Sequence, residues 1–186
     1  MSSELLKLGA VFGLVLLNGF FVAAEFALVS VRPTRIDQLA QQGHAMARLV
    51  KRAMADPNRF ISAAQVGITM ASLGLGWIAE PALAQLFVPL FDSWLGHGAR
   101  VSAHLVAGVL AYFIITVMHI VLGEQVPKMI AIQRSEATIL ATAAPIAWLA
   151  IPFRPIIALL YWLTDLVLRP LGLSWQGEHH LVYTED

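Results

Sequence analysis

Cysteine is absent from the 186-residue sequence, which excludes disulfides, thiolate metal sites and cysteine nucleophiles. Charge is scarce: 12 basic and 12 acidic side chains make up 13% of the chain and cancel at neutral pH. Such a balance gives neither the basic footprint of a nucleic-acid-binding protein nor a general polybasic membrane patch. Apolar residues fill the space instead, at 58% of the composition with a mean hydropathy of +0.72. That is too apolar for an ordinary soluble domain. The expected fold class is an all-α membrane protein with three transmembrane helices.

The first apolar stretch, Leu5 to Val31, exceeds the about 20 residues a bilayer crossing needs. It is longer than a signal-peptide core and lacks a small-residue cleavage site before its basic flank, so it reads as a retained span. Arg32, Arg35, Arg48, Lys51, Arg52 and Arg59 follow in one short connection. Lysine and arginine in short loops mark the cytoplasmic side, which puts the N-terminus outside. Within that connection an amphipathic pattern broken at Gly43 predicts a helical pair at 33–56 on the cytoplasmic interface. Asp56-Pro57-Asn58 is a helix-start signal.

The second stretch, Phe60 to Phe91, is long for one straight crossing and is punctuated by Gly67, Gly74, Gly76 and Pro81. These predict a break lining a protein-buried or watery cavity. The loop Asp92–Ser102 fits the outer side, and His104 to Leu122 returns inward, with Glu124 and Lys128 near its cytoplasmic end. The run 137–173 contains Pro145, Pro152, Pro155, Pro170 and a central Arg154. Proline interrupts helices and a central arginine costs at least about 2.5 kcal/mol in a bilayer. Short interfacial helices anchored by Trp148, Tyr161, Trp162 and Trp175 are therefore expected, with a fourth span as the alternative. The organisation expected is a transmembrane core at 1–136 (spans about 5–31, 60–91 and 103–123), belt helices at 137–176 and a linker at 177–186.

Polar residues recur at helical spacing in each span: Asn18 and Glu25, with Val22 between them; Gln65, Thr69 and Ser72, with Gly76; Tyr112, Thr116, His119 and Gly123. Each set aligns on one helix face, and the three faces with Glu124 are read as facing one ion site. Almost all the groups are oxygen donors, which suits a hard cation such as Mg2+; Na+ or protons would draw on the same groups. Structural readings stand beside this one. Intramembrane Ser and Thr commonly bond their own helix carbonyls, so Thr69, Ser72 and Thr116 have a plain explanation. Asn18 and Gln65 can bridge helices, His119 can do the same, and Glu124 can pair with Lys128. Intramembrane carboxylates are functional by default, which singles out Glu25 and Glu124. A GxxxG at Gly9 and Gly13 would permit close helix contact, or is chance. An intramembrane hydrolase pairing Ser72 with His119 lacks any supporting motif, and no enzyme is expected.

Three segments together resemble one family: N-G-F-F-V-A-A-E-F-A-L-V-S at Asn18–Ser30, Q-V-G-I-T-M-A-S-L-G-L-G-W at Gln65–Trp77 and G-E-Q-V-P-K at Gly123–Lys128. They are similar to the transmembrane domain of the CorC/CNNM magnesium transporters. The resemblance implies a homodimer with three spans per subunit, a juxtamembrane belt and cytoplasmic CBS domains beyond this chain. It implies Mg2+ export across the inner membrane, with Na+ as the exchanged ion. By position it carries the ion site onto Ser72, Gly123 and Glu124, with the first-span cluster opposite. Asn18 would supply an amide oxygen, Gly123 a carbonyl, and Glu25 charge or an Na+ role; Gln65, Thr69, Thr116 and His119 would line the path. Many members carry a hydroxyl residue where this chain has Val22, so Asn18 or a carbonyl near Val22 would take that place. The other class of function is a non-transporting anchor or Mg2+ sensor.

Overall fold

Nothing in the first apolar run breaks a helix, and in the computed structural model it forms a single one, α1, Ser2–Ser30. The structure describes residues 2–95 and 100–173, among which there is no strand. Two short helices follow, α2 (Pro33–Gln41) and α3 (Ala45–Ala55), then α4 (Pro57–Leu95), α5 (Arg100–Met118), a π-helical segment His119–Gln125 and α6 (Val126–Gln133). The chain continues through α7 (Ser135–Leu149), α8 (Arg154–Leu168) and a 3-10 turn, Arg169–Leu171. Among the described residues three helical segments are long and apolar enough to cross a membrane: Leu5–Ser30, Pro57–Ala79 and Leu105–Gln133.

Small residues make the interior. Ala24, Ala27, Ala63, Ala64, Ala107, Ala111, Ala131 and Ala143 are all buried, while Leu6, Leu73, Trp77 and Phe113 point outward. Close approach through small side chains, with bulky apolar groups left for lipid, is how helices pack where water supplies no hydrophobic drive. The tightest crossings fall at glycines: a Cβ on Gly67 would lie 2.5–2.6 Å from the Phe21 ring, and one on Gly19 would lie 2.8 Å from Pro127 Cγ. Gly9 and Gly13, the GxxxG pair, meet nothing within 4 Å among the described residues.

Three expectations need correction. The second span is unbroken: α4 runs as one helix of 39 residues through Gly67, Gly74, Gly76 and Pro81. Glycine weakens a helix by about 1 kcal/mol without breaking it, and transmembrane helices tolerate proline. The irregularity lies in the third span, which does not end near 123 but continues to Gln133. Pro127 sits where the π segment passes into α6, and its missing N–H bears on the carbonyls of the preceding turn. The expected outer loop contracts, since Asp92–Leu95 and Arg100–Ser102 are helical; residues 96–99 lie outside the described set.

The amphipathic pair at the basic connection is present as α2 and α3, which bury Ile36, Ala47 and Val50. Gly43 turns between them at φ +90°. Only glycine adopts that conformation freely, so Gly43→Ala is expected to cost about 1 kcal/mol. A fall in the thermal unfolding midpoint would check this, with Gly43→Asn falling less. Asp56 starts α4 as read from sequence, its Oδ1 accepting the Arg59 backbone N–H at 3.3 Å. Arg35 of α2 donates to both carboxylate oxygens of Glu136 of α7, at 3.0 and 3.4 Å. That pair is exposed, and its contribution is small.

Helices α7 and α8 meet at 90°. Each has 15 residues, or roughly 22 Å of rise against a hydrocarbon core of about 30 Å. Neither alone spans. Helix α7 buries Ile139, Thr142, Ala143 and Ile146, whereas Trp148 and Trp162 are exposed and Tyr161 is half-buried; Trp175 lies outside the described residues.

Candidate ion site

Among the described residues most of the buried apolar side chains fall into two clusters. One, toward the N-terminal end of α1, holds Val11, Val15, Leu75, Ala79 and Ile115. The other surrounds Phe21, Ala24, Ala64, Ala131 and Ile139. Asn18, 2% exposed, lies on α1 between them and falls at the middle of the Leu5–Ser30 span. A buried amide at that depth must find partners, and it finds one on each of the other spans. Its Nδ2 donates to the Gly123 carbonyl at 2.9 Å, and its Oδ1 accepts from the Ser72 hydroxyl at 3.1 Å. Three oxygens from three helices thus meet: Asn18 Oδ1, Ser72 Oγ and Gly123 O.

The sequence around Gly123 explains why its carbonyl is available. In an α-helix it would accept from the N–H of residue 127, which is proline and has none. In a π-helix the carbonyl of Leu122 would need that same missing donor, and the Val126 N–H is committed to Val121. Pro127 therefore withholds a donor from two successive carbonyls. Gly123 O takes the Asn18 amide instead. Leu122 O faces α1 at Gly19, 3.3 Å from where a Cβ there would stand.

The π segment also sets which residue faces inward. Ala107, Ala111 and Ile115 form the buried ridge of α5. At about 100° per residue, an unbroken α-helix would place Leu122 near that ridge and Gly123 roughly 80° away. The wider π turn exchanges them, so Gly123 is buried and Leu122 is 40% exposed. A Cβ on Gly123 would lie 2.9 Å from His119 Cδ2 and 3.4 Å from Asn18 Nδ2, so any side chain there must displace the imidazole.

Other candidates stand further out. Glu124 is exposed and forms no hydrogen bond or ion pair among the described residues. The Glu124–Lys128 pair is not formed; the Lys128 ammonium instead lies 4.4 Å from the centre of the Phe26 ring. Glu25 is half-buried and hydrogen-bonds the Gln65 side chain. It stands about 10 Å of helix rise from Asn18, too far to share bonds of 2.0–2.1 Å to one Mg2+. Thr116 donates to the Tyr112 carbonyl of its own helix at 2.8 Å, and His119 is half-buried against Gly123.

The stripes therefore do not all look inward. Gln65, Thr69, Gly76 and Tyr112 are exposed, while Ser72 and Thr116 are half-buried. In α4 and α5, unlike α1, most of the polar stripe sits one residue, about 100°, past the buried ridges Ala64, Gly67, Ala71, Leu75 and Ala107, Ala111, Ile115. They flank the packed face rather than form it. Among the described residues no group of three or more His, Asp or Glu side chains could hold a metal. Any cation here would rest on neutral oxygens. From sequence Gly67 reads only as a helix interrupter and Pro127 only as part of the G-E-Q-V-P-K segment, and the close crossings at Gly19 and Gly67 are not foreseen; the adjacency of Gly19 to Asn18 and the proline four residues past Gly123 are the available signals.

This is a multi-pass membrane protein in which one polar node joins three spans. Residues 9–186 match the Cyclin M transmembrane N-terminal domain, and the chain belongs to the CNNM family. It is 41% identical over 173 residues to UPF0053 protein YhdT of Bacillus subtilis, covering 93% of this chain and 37% of that protein. It is 35% identical over 182 residues to YugS of the same organism, covering 98% and 42%. UPF0053 protein sll0260 of Synechocystis matches at 34% over 176 residues, covering 93% and 38%. The chain thus spans about two fifths of the length of these relatives. The family is one of transporter-type membrane domains and not of enzymes. In keeping with that, the Ser72 hydroxyl donates to an amide oxygen rather than to an imidazole.

Proposed function

We propose that this chain is the membrane-spanning unit of a divalent-cation transporter whose substrate is Mg2+, exported in exchange for Na+. The observation that carries the reading is the node of Asn18, Ser72 and Gly123 at mid-span, where uncompensated polar groups are costly. A dehydrating Mg2+ would take Asn18 Oδ1, Ser72 Oγ and Gly123 O in place of the hydrogen bonds they now make. Ser72 need only rotate its hydroxyl, and Asn18 its amide. Glu124, the residue after Gly123 in the π segment, would supply charge as the ion arrives or leaves. Glu25 with Gln65 forms a separate polar point toward the basic connection, suited to a path or an Na+ role.

Orientation with the N-terminus outside follows from the arginines of the α1–α4 connection. A homodimer would cover the apolar outer face of the third span. Helices α7 and α8 would lie along the cytoplasmic interface, with CBS domains beyond them. The alternative is an anchor or sensor in which the node only ties helices together, favoured by the fact that both ends of the Asn18 amide are already satisfied.

Mg2+ flux into proteoliposomes separates the two. The transporter reading expects wild-type flux above empty liposomes and at least a tenfold loss in Ser72→Ala and Glu124→Ala. Wild-type vesicles no leakier to Mg2+ than empty ones would leave the anchor reading standing.

A further inference from the structure

The cluster of charge left unused by the ion site lies at the start of α4, against α3 and α7 in one recess and α8 in the next. Arg52, Asp56 and Arg59 line a recess of about 200 Å³ over Phe60 and Ile146. Asp56, Arg59, Arg154 and Tyr161 line a second of about 340 Å³ beside Ile157. Asp56 and Arg59 belong to both, so the two recesses abut. Each is several times the ~30 Å³ share of one water.

Three arginines here face one carboxylate, and that carboxylate already accepts the Arg59 backbone N–H. Elsewhere Arg35 pairs with Glu136, Lys51 with Asp37 and Arg169 with Asp165. The Arg52, Arg59 and Arg154 side chains form no ion pair or hydrogen bond among the described residues. Phe60, Ile146 and Ile157, which line the same recesses, are buried and apolar, so the arginines border an apolar floor. Arg59 lies in the first turn of the Pro57–Ala79 span, which sets the cluster at headgroup depth. Leu159, Trp162, Leu163 and Leu166 are exposed on adjacent α8, a surface suited to acyl chains.

We propose that this basic notch binds the phosphate of an anionic phospholipid in the leaflet on the α2–α3 side, with Arg52, Arg59 and Arg154 as its ligands. Guanidinium forks match phosphate geometry, and a tethered apolar tail beside the anion distinguishes a lipid from a free phosphate. Bound there, the lipid would tie α8 to the start of α4.

Native mass spectrometry of the purified protein with phosphatidylglycerol or phosphatidylcholine tests this. Phosphatidylglycerol is expected to bind at least tenfold more tightly. At about fivefold per arginine, the triple variant Arg52→Gln/Arg59→Gln/Arg154→Gln is expected to lose of order 100-fold. Arg59→Lys should lose far less, and Arg169→Gln, whose residue is paired elsewhere, should bind as wild type. Circular dichroism melting checks that each variant is folded. Equal binding of the two lipids, a triple variant that still discriminates, or displacement of phosphatidylglycerol by equimolar inorganic phosphate overturns the proposal.

Discussion

Replacing Asn18 by leucine is expected to lower the stability of the protein by about 2–4 kcal/mol and to abolish Mg2+ flux. The estimate combines about 0.6 kcal/mol, the average in a membrane, for each of the two interhelical hydrogen bonds lost with about 1–3 kcal/mol for forcing a branched side chain into a filled site. Leucine would leave the Ser72 hydroxyl and the Gly123 carbonyl without the partners they have now. A second substitution separates a helix tie from an ion site. Asn18→Asp keeps the shape but turns a carboxylate oxygen toward the Gly123 carbonyl, removing the donor and adding repulsion. Both readings expect it to melt at a lower temperature than wild type. Only the ion-site reading expects millimolar Mg2+ to restore the melting temperature, because a bound cation would bridge the two oxygens. Thermal unfolding in detergent, with and without Mg2+, is the measurement. A melting temperature indifferent to Mg2+ would count against the site.

The second large effect is expected at Gly67. Adding a methyl group there puts a carbon 2.5–2.6 Å from three atoms of the Phe21 ring, closer than real contacts allow. Phe21 is buried between α1 and α4, so the ring cannot swing clear without moving a helix. Gly67→Ala is expected to cost about 1–3 kcal/mol, and Phe21→Leu to cost about 1 kcal/mol by itself. The double variant should be more stable than Gly67→Ala alone, since the smaller side chain admits the methyl. A double-mutant cycle on thermal or chemical unfolding reads this coupling. Strict additivity would show that the helices meet elsewhere.

Much of the architecture was legible because the bilayer imposes lengths and the spans meet them. Composition gave the class, arginine placement the basic connection, and Asp56-Pro57 the start of α4. At the candidate site, the polar spacing identified Asn18 and Ser72, and both belong to the node. The spacing overreached where it assumed that aligned polar residues face inward. Gln65 and Tyr112 share a stripe with Ser72 or Gly123, yet small residues one position earlier, such as Ala64 and Ala111, take the buried face. Periodicity fixes which residues lie together on a helix, but the neighbouring helix decides which stripe it covers.

The π segment was beyond reach of pattern counting for a similar reason. Glycines in α4 suggested a break there, but glycine only permits one. The missing donor of Pro127, together with an amide on α1 ready to replace it, produces the irregularity in the third span. Charge was hard to place as well. Glu124 and Lys128 are four residues apart, the usual spacing for a pair, but Lys128 packs over Phe26 of α1 and Glu124 faces out.

The central claim is that the oxygens of Asn18, Ser72 and Gly123 form a cation site rather than a helix clasp, and calorimetric titration of the purified protein with Mg2+ tests it most directly. Saturable Mg2+ binding is expected, weakened at least tenfold in Ser72→Ala and in Asn18→Leu and unchanged in Thr116→Val, whose hydroxyl only serves its own helix. Wild-type protein that binds no Mg2+, or binding that survives both node substitutions intact, would contradict it.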